Sequence, residues 1–236
     1  MIDVKNLVRT FKDGPRETRV LKGINFTAKD GEFIAIMGRS GAGKSTLLYQ
    51  LSLLDEPTSG EILIDGKEAH RMTEREKMLF RLAEFGYVFQ DYALLPELTA
   101  LENVALPLYM QGVSRVEAET KAQTALERVG LGTRLGNLPS QLSGGEQQRV
   151  SISRAIAHTP DVLFADEPTA NLDRESSALV MDFFADLHKS GQTIIMVTHE
   201  EEYALFAERV VKLDDGQIVS DQKVTETSFA QRGTHS

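Results

Sequence analysis

The residues most plainly equipped for chemistry are Gly38-Arg39-Ser40-Gly41-Ala42-Gly43-Lys44-Ser45-Thr46. The spacing Gly-x-x-x-x-Gly-Lys-Ser is that of the phosphate-binding P-loop, or Walker A motif. Gly41 and Gly43 let backbone N–H groups turn inward around anionic β- and γ-phosphates with no Cβ in the way. A helix starting near Lys44 would aim the positive end of its dipole at the same charges. Lys44 is placed to bridge the β- and γ-phosphates, and the Ser45 hydroxyl to ligate Mg²⁺. Gly38, Ser40, Ala42 and Thr46 complete the candidate nucleotide-binding set. A plain glycine-rich turn between strand and helix would not call for all eight motif positions, so nucleotide binding is the reading.

A second set of groups suits that chemistry. Val162-Leu163-Phe164-Ala165 reads as a buried strand ending in Asp166-Glu167, the Walker B arrangement. Asp166 would hold Mg²⁺, and Glu167 would orient or deprotonate the attacking water. Asp55-Glu56-Pro57-Thr58 nearly repeats Asp166-Glu167-Pro168-Thr169, but it follows a helical run and leads into Ser59-Gly60, so it reads as a turn. Leu142-Ser143-Gly144-Gly145-Glu146 opens a helix with a serine and two glycines, a further anion-binding terminus. One domain already has its phosphate loop, so the natural user of this terminus is a nucleotide held by another copy.

The elements that must position these groups can be traced along the chain. Residues 2–36 are strand-like, with turns at Lys12-Asp13-Gly14-Pro15 and Lys29-Asp30-Gly31. Phe33 to Met37 is the buried strand before the P-loop, and Leu47 to Leu54 reads as helix after it. Glu61 to Asp65 is a strand, Thr73-Glu74-Arg75-Glu76 a capping box opening a helix towards Glu84, and Gly86 to Phe89 a short strand ending at Gln90. From Asp91 to Thr159 the signals turn helical. Thr99-Ala100-Leu101-Glu102 and Ser114-Arg115-Val116-Glu117 are further capping boxes, and Pro107 should kink or end the first of these helices. A helix from about Gly145 to His158 follows. Strand and helix then alternate: Arg174 to Lys189, Thr193 to Val197, a helix from Glu200, and a terminal hairpin from Arg209 to Ser220. Residues beyond Thr225 read as a frayed polar end.

The expected fold is therefore an α/β body, residues 1–90 and 161–236, interrupted by an all-helical insert at 91–160. A net charge of −9 disfavours a nucleic-acid-binding surface, the lack of cysteine excludes disulfides and thiolate metal sites, and no apolar run approaches the ~20 residues of a membrane span.

In their order along the chain, Walker A, Gln90, Leu142-Ser143-Gly144-Gly145-Glu146, Asp166-Glu167, Asn171-Leu172-Asp173 and His199 resemble the ABC ATPases. The resemblance covers essentially the whole chain. Leu54-Asp55-Glu56-Pro57-Thr58-Ser59-Gly60-Glu61 and Leu98 to Pro107 are similar to the lipoprotein-releasing and macrolide-export branch. It implies a P-loop NTPase (RecA-like) core with an N-terminal antiparallel β subdomain and an inserted helical subdomain. It further implies Gln90 as a Mg²⁺ ligand and hinge, His199 as a γ-phosphate contact, and Asp173 as a residue working across a dimer. Phe11 stands where an aromatic stacks on adenine, although a core aromatic is the equal alternative, and Val20 would line the ribose side. Each site would join Walker A, Walker B, Gln90 and His199 of one copy to Ser143, Gly145 and Glu146 of a second. The implied partners are a second copy when ATP is bound and a membrane-spanning permease, on the cytoplasmic face of the membrane, with no nucleic acid. Tyr92 to Leu98 is either core or a groove lining for the permease. Alternatives are an ATPase driving a signalling membrane partner without transport, and a soluble ABC ATPase acting on DNA or ribosomes.

Overall fold

The computed structural model describes residues 1–224; the polar end beyond Thr225 lies outside them. The chain divides into two compact units, one of residues 1–77 with the chain from Gly191 onward, the other of Met78–Ser190.

In the first unit, β1 (Ile2–Asp13) and β2 (Arg16–Ala28) form an antiparallel hairpin. The unit also contains β3 (Phe33–Met37), α1 (Lys44–Leu51), β4 (Ser59–Ile64) and β5 (Lys67–Glu68). The antiparallel sheet has the order β2-β1-β4-β5. Ile2, Val4 and Leu7 are buried on β1, and the change from even to odd positions is explained by a register shift between Val4 and Leu7. β3 lies between β8 (Thr193–Val197) and β9 (Arg209–Asp214), parallel to both. β9 turns back into the antiparallel β10 (Gln217–Lys223), the expected terminal hairpin. Every residue of β3 and β8 is buried, which is why both read as unbroken apolar runs rather than as alternating strands.

Two helices here are shorter than their sequence signals. α1 ends at Leu51 because Leu53 takes φ 58°, Leu53 N–H bonds Gln50 O and Leu54 N–H bonds Tyr49 O. That is a Schellman closure with leucine where glycine is usual. α7 is one turn, Glu201–Ala204, with no side-chain cap; Phe206 and Ala207 then bond three residues back and lead into β9.

The second unit holds the parallel pair β6 (Phe85–Val88) and β7 (Val162–Asp166), with α3 (Ala100–Met110), α4 (Arg115–Arg128), α5 (Gly144–Ile156) and α6 (Arg174–Lys189). α2 (Glu74–Glu84) contains the boundary between the units. Val104 and Leu108 of α3, Ala118, Ala122 and Leu126 of α4, and Val150 of α5 share one buried cluster. The small residues at four-residue spacing on α4 put one face against the core. Thr99 and Glu102 close their capping box, whereas at Ser114 only the side-chain acceptor half forms, from Glu117 N–H. Pro107 does not end α3. It sits in the last turn, so its missing N–H removes a single bond, and Gln111 N–H still reaches Pro107 O at 3.0 Å. β6, β7 and α6 group with these helices, whereas the sequence assigns residues up to 90 and beyond 160 to the α/β body.

Candidate functional site

The first unit carries the P-loop between β3 and α1. Among the described residues, five helices of eight residues or more donate an N-terminal backbone N–H to a side chain: Thr73 at α2, Thr99 at α3, Ser114 at α4, Ser143 at α5 and Asp173 at α6. α1 has no such cap, and its N-cap is Gly43, with φ 98°. Gly43 thus brings no side-chain acceptor of its own to the positive end of α1, and no carboxylate stands in the first turn, which suits an anion-binding helix terminus. Lys44 is 7% exposed and donates to Arg39 O at 3.3 Å, which folds its ammonium back over the loop.

The loop is buttressed by residues distant in sequence. Gly216, in the β9–β10 turn, donates its N–H to Ala42 O at 3.1 Å and accepts from Lys22 N–H at 2.9 Å. A Cβ at Gly216 would stand 2.1 Å from Val20 O, and one at Gly43 3.2 Å from the same oxygen. Val20 is therefore brought against the P-loop. Gly216 is a supporting residue that the sequence reading missed; the Asp214-Asp215-Gly216 turn signal marked a hairpin and nothing more.

Phe11 is 43% exposed, which overturns its reading as a core aromatic. The Arg9 guanidinium lies 4.4 Å from its ring centroid and is tied to Asp55 Oδ1 at 2.6 Å. Arg9 thereby occupies one face of the ring. Asp55 accepts from Gln50 Nε2 at 2.8 Å, so Asp55-Glu56-Pro57-Thr58 is the turn its context indicates. His199 follows β8 and is exposed.

The second unit carries the remaining groups. β7 delivers Asp166, 5% exposed, and Glu167 follows it with φ 44°, a left-handed backbone unusual for a non-glycine residue. Ser143 Oγ accepts from Glu146 N–H at 3.2 Å, and Glu146 Oε2 accepts from Ser143 N–H at 2.8 Å. That backbone bond, with Arg134 beside it, lowers the Glu146 pKa from the ordinary carboxylate value. Asp173 accepts from Ser176 N–H at 2.8 Å, and this bond lowers its pKa in the same way. Glu146 and Asp173 are thus engaged as caps within their own unit. Gly145 is buried beside them. Gln90 is exposed, and its carbonyl accepts from Asn171 Nδ2 at 2.9 Å.

Among the described residues no cluster of three His, Cys, Asp or Glu could cage a metal. The proposed donors Ser45, Gln90 and Asp166 supply oxygen only, which fits a Mg²⁺ that keeps most of its coordination for phosphate and water. No helix among the described residues is long and apolar enough to cross a membrane.

A family model described as ABC transporter matches residues 21–170, well over half the chain. The chain belongs to the ABC transporter family. It is 46% identical over 219 residues to the lipoprotein-releasing system ATP-binding protein LolD of Aquifex aeolicus, covering 93% of this chain and 95% of that protein. An ABC transporter ATP-binding protein of Methanocaldococcus jannaschii is 48% identical over 219 residues, with coverage of 93% and 98%. The macrolide export ATP-binding/permease protein MacB of Aggregatibacter actinomycetemcomitans is 44% identical over 230 residues, 98% of this chain but 36% of that longer protein. A dimeric post-hydrolysis structure of the ATP-binding cassette MJ0796, bound to ADP and Pi, has a TM-score of 0.90 at 39% identity, covering 95% of this chain and 99% of that one. That identity, over nearly the whole chain, establishes the P-loop ABC fold with its antiparallel β subdomain and helices.

Proposed function

We propose that this chain is the ATP-binding subunit of an ABC transporter of the lipoprotein-releasing and macrolide-export type. It binds and hydrolyses ATP in a head-to-tail dimer and drives export or extraction of a substrate through a membrane-spanning partner. The observation that carries the reading is the Gly38–Thr46 loop between β3 and α1, with Gly43 at φ 98° as the N-cap of α1. Family membership and the dimeric relative support the rest.

The α/β lobe of residues 1–90 and 161–236 carries catalysis, and residues 91–160 form a helical subdomain. The loop's backbone and Lys44 hold the phosphates, Phe11 offers its open face to adenine, and Val20 lines the ribose side. Ser45, Gln90 and Asp166 would hold Mg²⁺, which would supply neutralisation of the phosphate charge. Glu167 takes the proton of the attacking water, and His199 contacts the γ-phosphate. Ser143, Gly145, Glu146 and Asp173 of the second copy complete the site. Because the γ-phosphate makes the contacts across the dimer, ATP closes it and hydrolysis opens it. The chain works at the cytoplasmic face of a membrane, held there by its partner. Leu94 packs on the helical cluster while Leu95 is 43% exposed, so Tyr92 to Leu98 is not simply core, and it offers apolar surface for that partner.

The test is an affinity pull-down of tagged Glu167→Gln with ATP from detergent-solubilised native membranes. Co-purification of a multi-spanning membrane protein is expected. Recovery of ribosomal or DNA-repair proteins alone would overturn the membrane reading and leave the ATPase intact.

A further inference from the structure

Gln90 is followed by two residues with left-handed backbone, Tyr92 at φ 63° and Ala93 at φ 47°. Ala93 N–H bonds Asp91 O at 2.7 Å and so closes a three-residue turn around Tyr92. With φ positive at its centre, that turn is of the rare, strained kind, and neither residue is glycine. Such a turn persists only where its surroundings over-determine it.

Those surroundings are specific side chains of the same unit. Arg154, in the last turn of α5, donates through Nη1 to Ala93 O at 2.6 Å and through Nη2 to Tyr92 O at 3.0 Å. Both bonds go to carbonyls rather than to a carboxylate. Burial also lowers the guanidinium's pKa from its ordinary value, so here an arginine is desolvated in order to hold backbone. On the other side, Asn171 Nδ2 donates to Gln90 O at 2.9 Å, and Tyr92 Oη donates to Asn171 O at 3.3 Å. The turn is thus fastened at three points: the carbonyl of Gln90 itself, and those of Tyr92 and Ala93. A fork with two parallel donors suits two adjacent carbonyls in a way a lysine ammonium cannot reproduce.

We propose that Arg154, together with Asn171, is a positioning residue that fixes the strained turn after Gln90 and so directs the Gln90 amide at the metal. The inference rests on the reading of Gln90 as a Mg²⁺ ligand given above. It joins the Gln90 turn to α5, whose other end carries Ser143, so nucleotide contact at Ser143 and metal contact at Gln90 are connected through one helix.

The experiment measures Mn²⁺ binding by electron paramagnetic resonance, with Mn²⁺ standing in for Mg²⁺, on the full chain saturated with a non-hydrolysable ATP analogue. Affinity for a fluorescent ATP analogue in metal-free buffer is measured alongside. Gln90→Ala tests the underlying reading. Arg154→Gln is expected to weaken Mn²⁺ binding roughly tenfold or more, the usual effect of losing a residue that orients a metal ligand. Its metal-free nucleotide affinity should be unchanged. Arg154→Lys should recover part of the loss. Adding Ala93→Gly to Arg154→Gln should recover more, because glycine takes the left-handed backbone without a clamp. If Gln90→Ala weakens Mn²⁺ binding and Arg154→Gln does not, the positioning role is wrong. If Gln90→Ala has no effect, the metal-ligand reading fails and the inference falls with it. Should Arg154→Gln not fold, Asn171→Ala is judged by the same two titrations and the same outcomes.

Discussion

Gly216→Ala should damage a loop that lies more than 170 residues away in sequence. The added Cβ would stand 2.1 Å from Val20 O, a backbone atom, so the β9–β10 turn or β2 must move. Movement breaks the bonds of Gly216 N–H to Ala42 O and of Lys22 N–H to Gly216 O, each worth about 1 kcal/mol. Holding an L-residue at φ 74° costs about 1 kcal/mol more. The total of about 3 kcal/mol corresponds to a fall in Tm of roughly 6–12 °C for a chain of this size. Gly66 is the matched control, with φ 75° and nothing within 4 Å of its Cβ position. Gly66→Ala should carry the backbone cost alone and lower Tm by roughly 2–4 °C. Scanning calorimetry of the two variants beside the parent reads the difference, and titration with a fluorescent ATP analogue should show weaker binding in Gly216→Ala alone. Equal shifts in the two variants would refute the buttress.

Lys44→Ala should abolish detectable ATP binding by the same titration while the protein stays folded; unchanged affinity would remove the P-loop assignment. Leu95→Glu should uncouple transport in reconstituted vesicles while sparing basal hydrolysis, and loss of folding would instead assign this stretch to the core. His158 is half-buried, with Nε2 bonded to Phe85 O at 3.1 Å, and desolvation lowers its pKa from the ordinary 6.5. The unfolded chain then binds the proton more tightly than the folded one, so the stability this histidine contributes is present above pH 6.5 and is lost as pH falls below it towards the lower folded value. His158→Gln should flatten denaturant midpoints between pH 7 and 5, and an unchanged slope would contradict the burial argument.

The elements most legible in the sequence are those whose local signals agree with their packing. Thr193–Val197 is apolar throughout and buried throughout, and Arg174–Lys189 is bounded by Asp173 as cap and Gly191 as stop. The misread elements conceal their cause in tertiary contact. Leu53 ends α1 in a conformation its type disfavours, so no glycine announced the stop. Pro107 is tolerated because it falls in the final turn of α3. Tyr92 and Ala93 carry no turn signal because Arg154, more than sixty positions away, imposes their conformation. Phe11 looked equally suited to the core or to stacking on adenine because its place depends on Arg9 and Asp55, which pair across 46 residues. The Walker A, Walker B and Ser143–Glu146 residues were legible through motif spacing, and Gln90, His199, Asp173, Phe11 and Val20 only through the family resemblance, whereas Gly216, Arg154 and Asn171 are recognised only by what they touch.

In the proposed cycle ATP itself joins two copies of this chain. Sedimentation of Glu167→Gln at micromolar concentration with Mg²⁺ and either ATP or ADP tests it most directly. A dimer with ATP and a monomer with ADP is the predicted result. A monomer in both nucleotides, or a dimer in both, would contradict it.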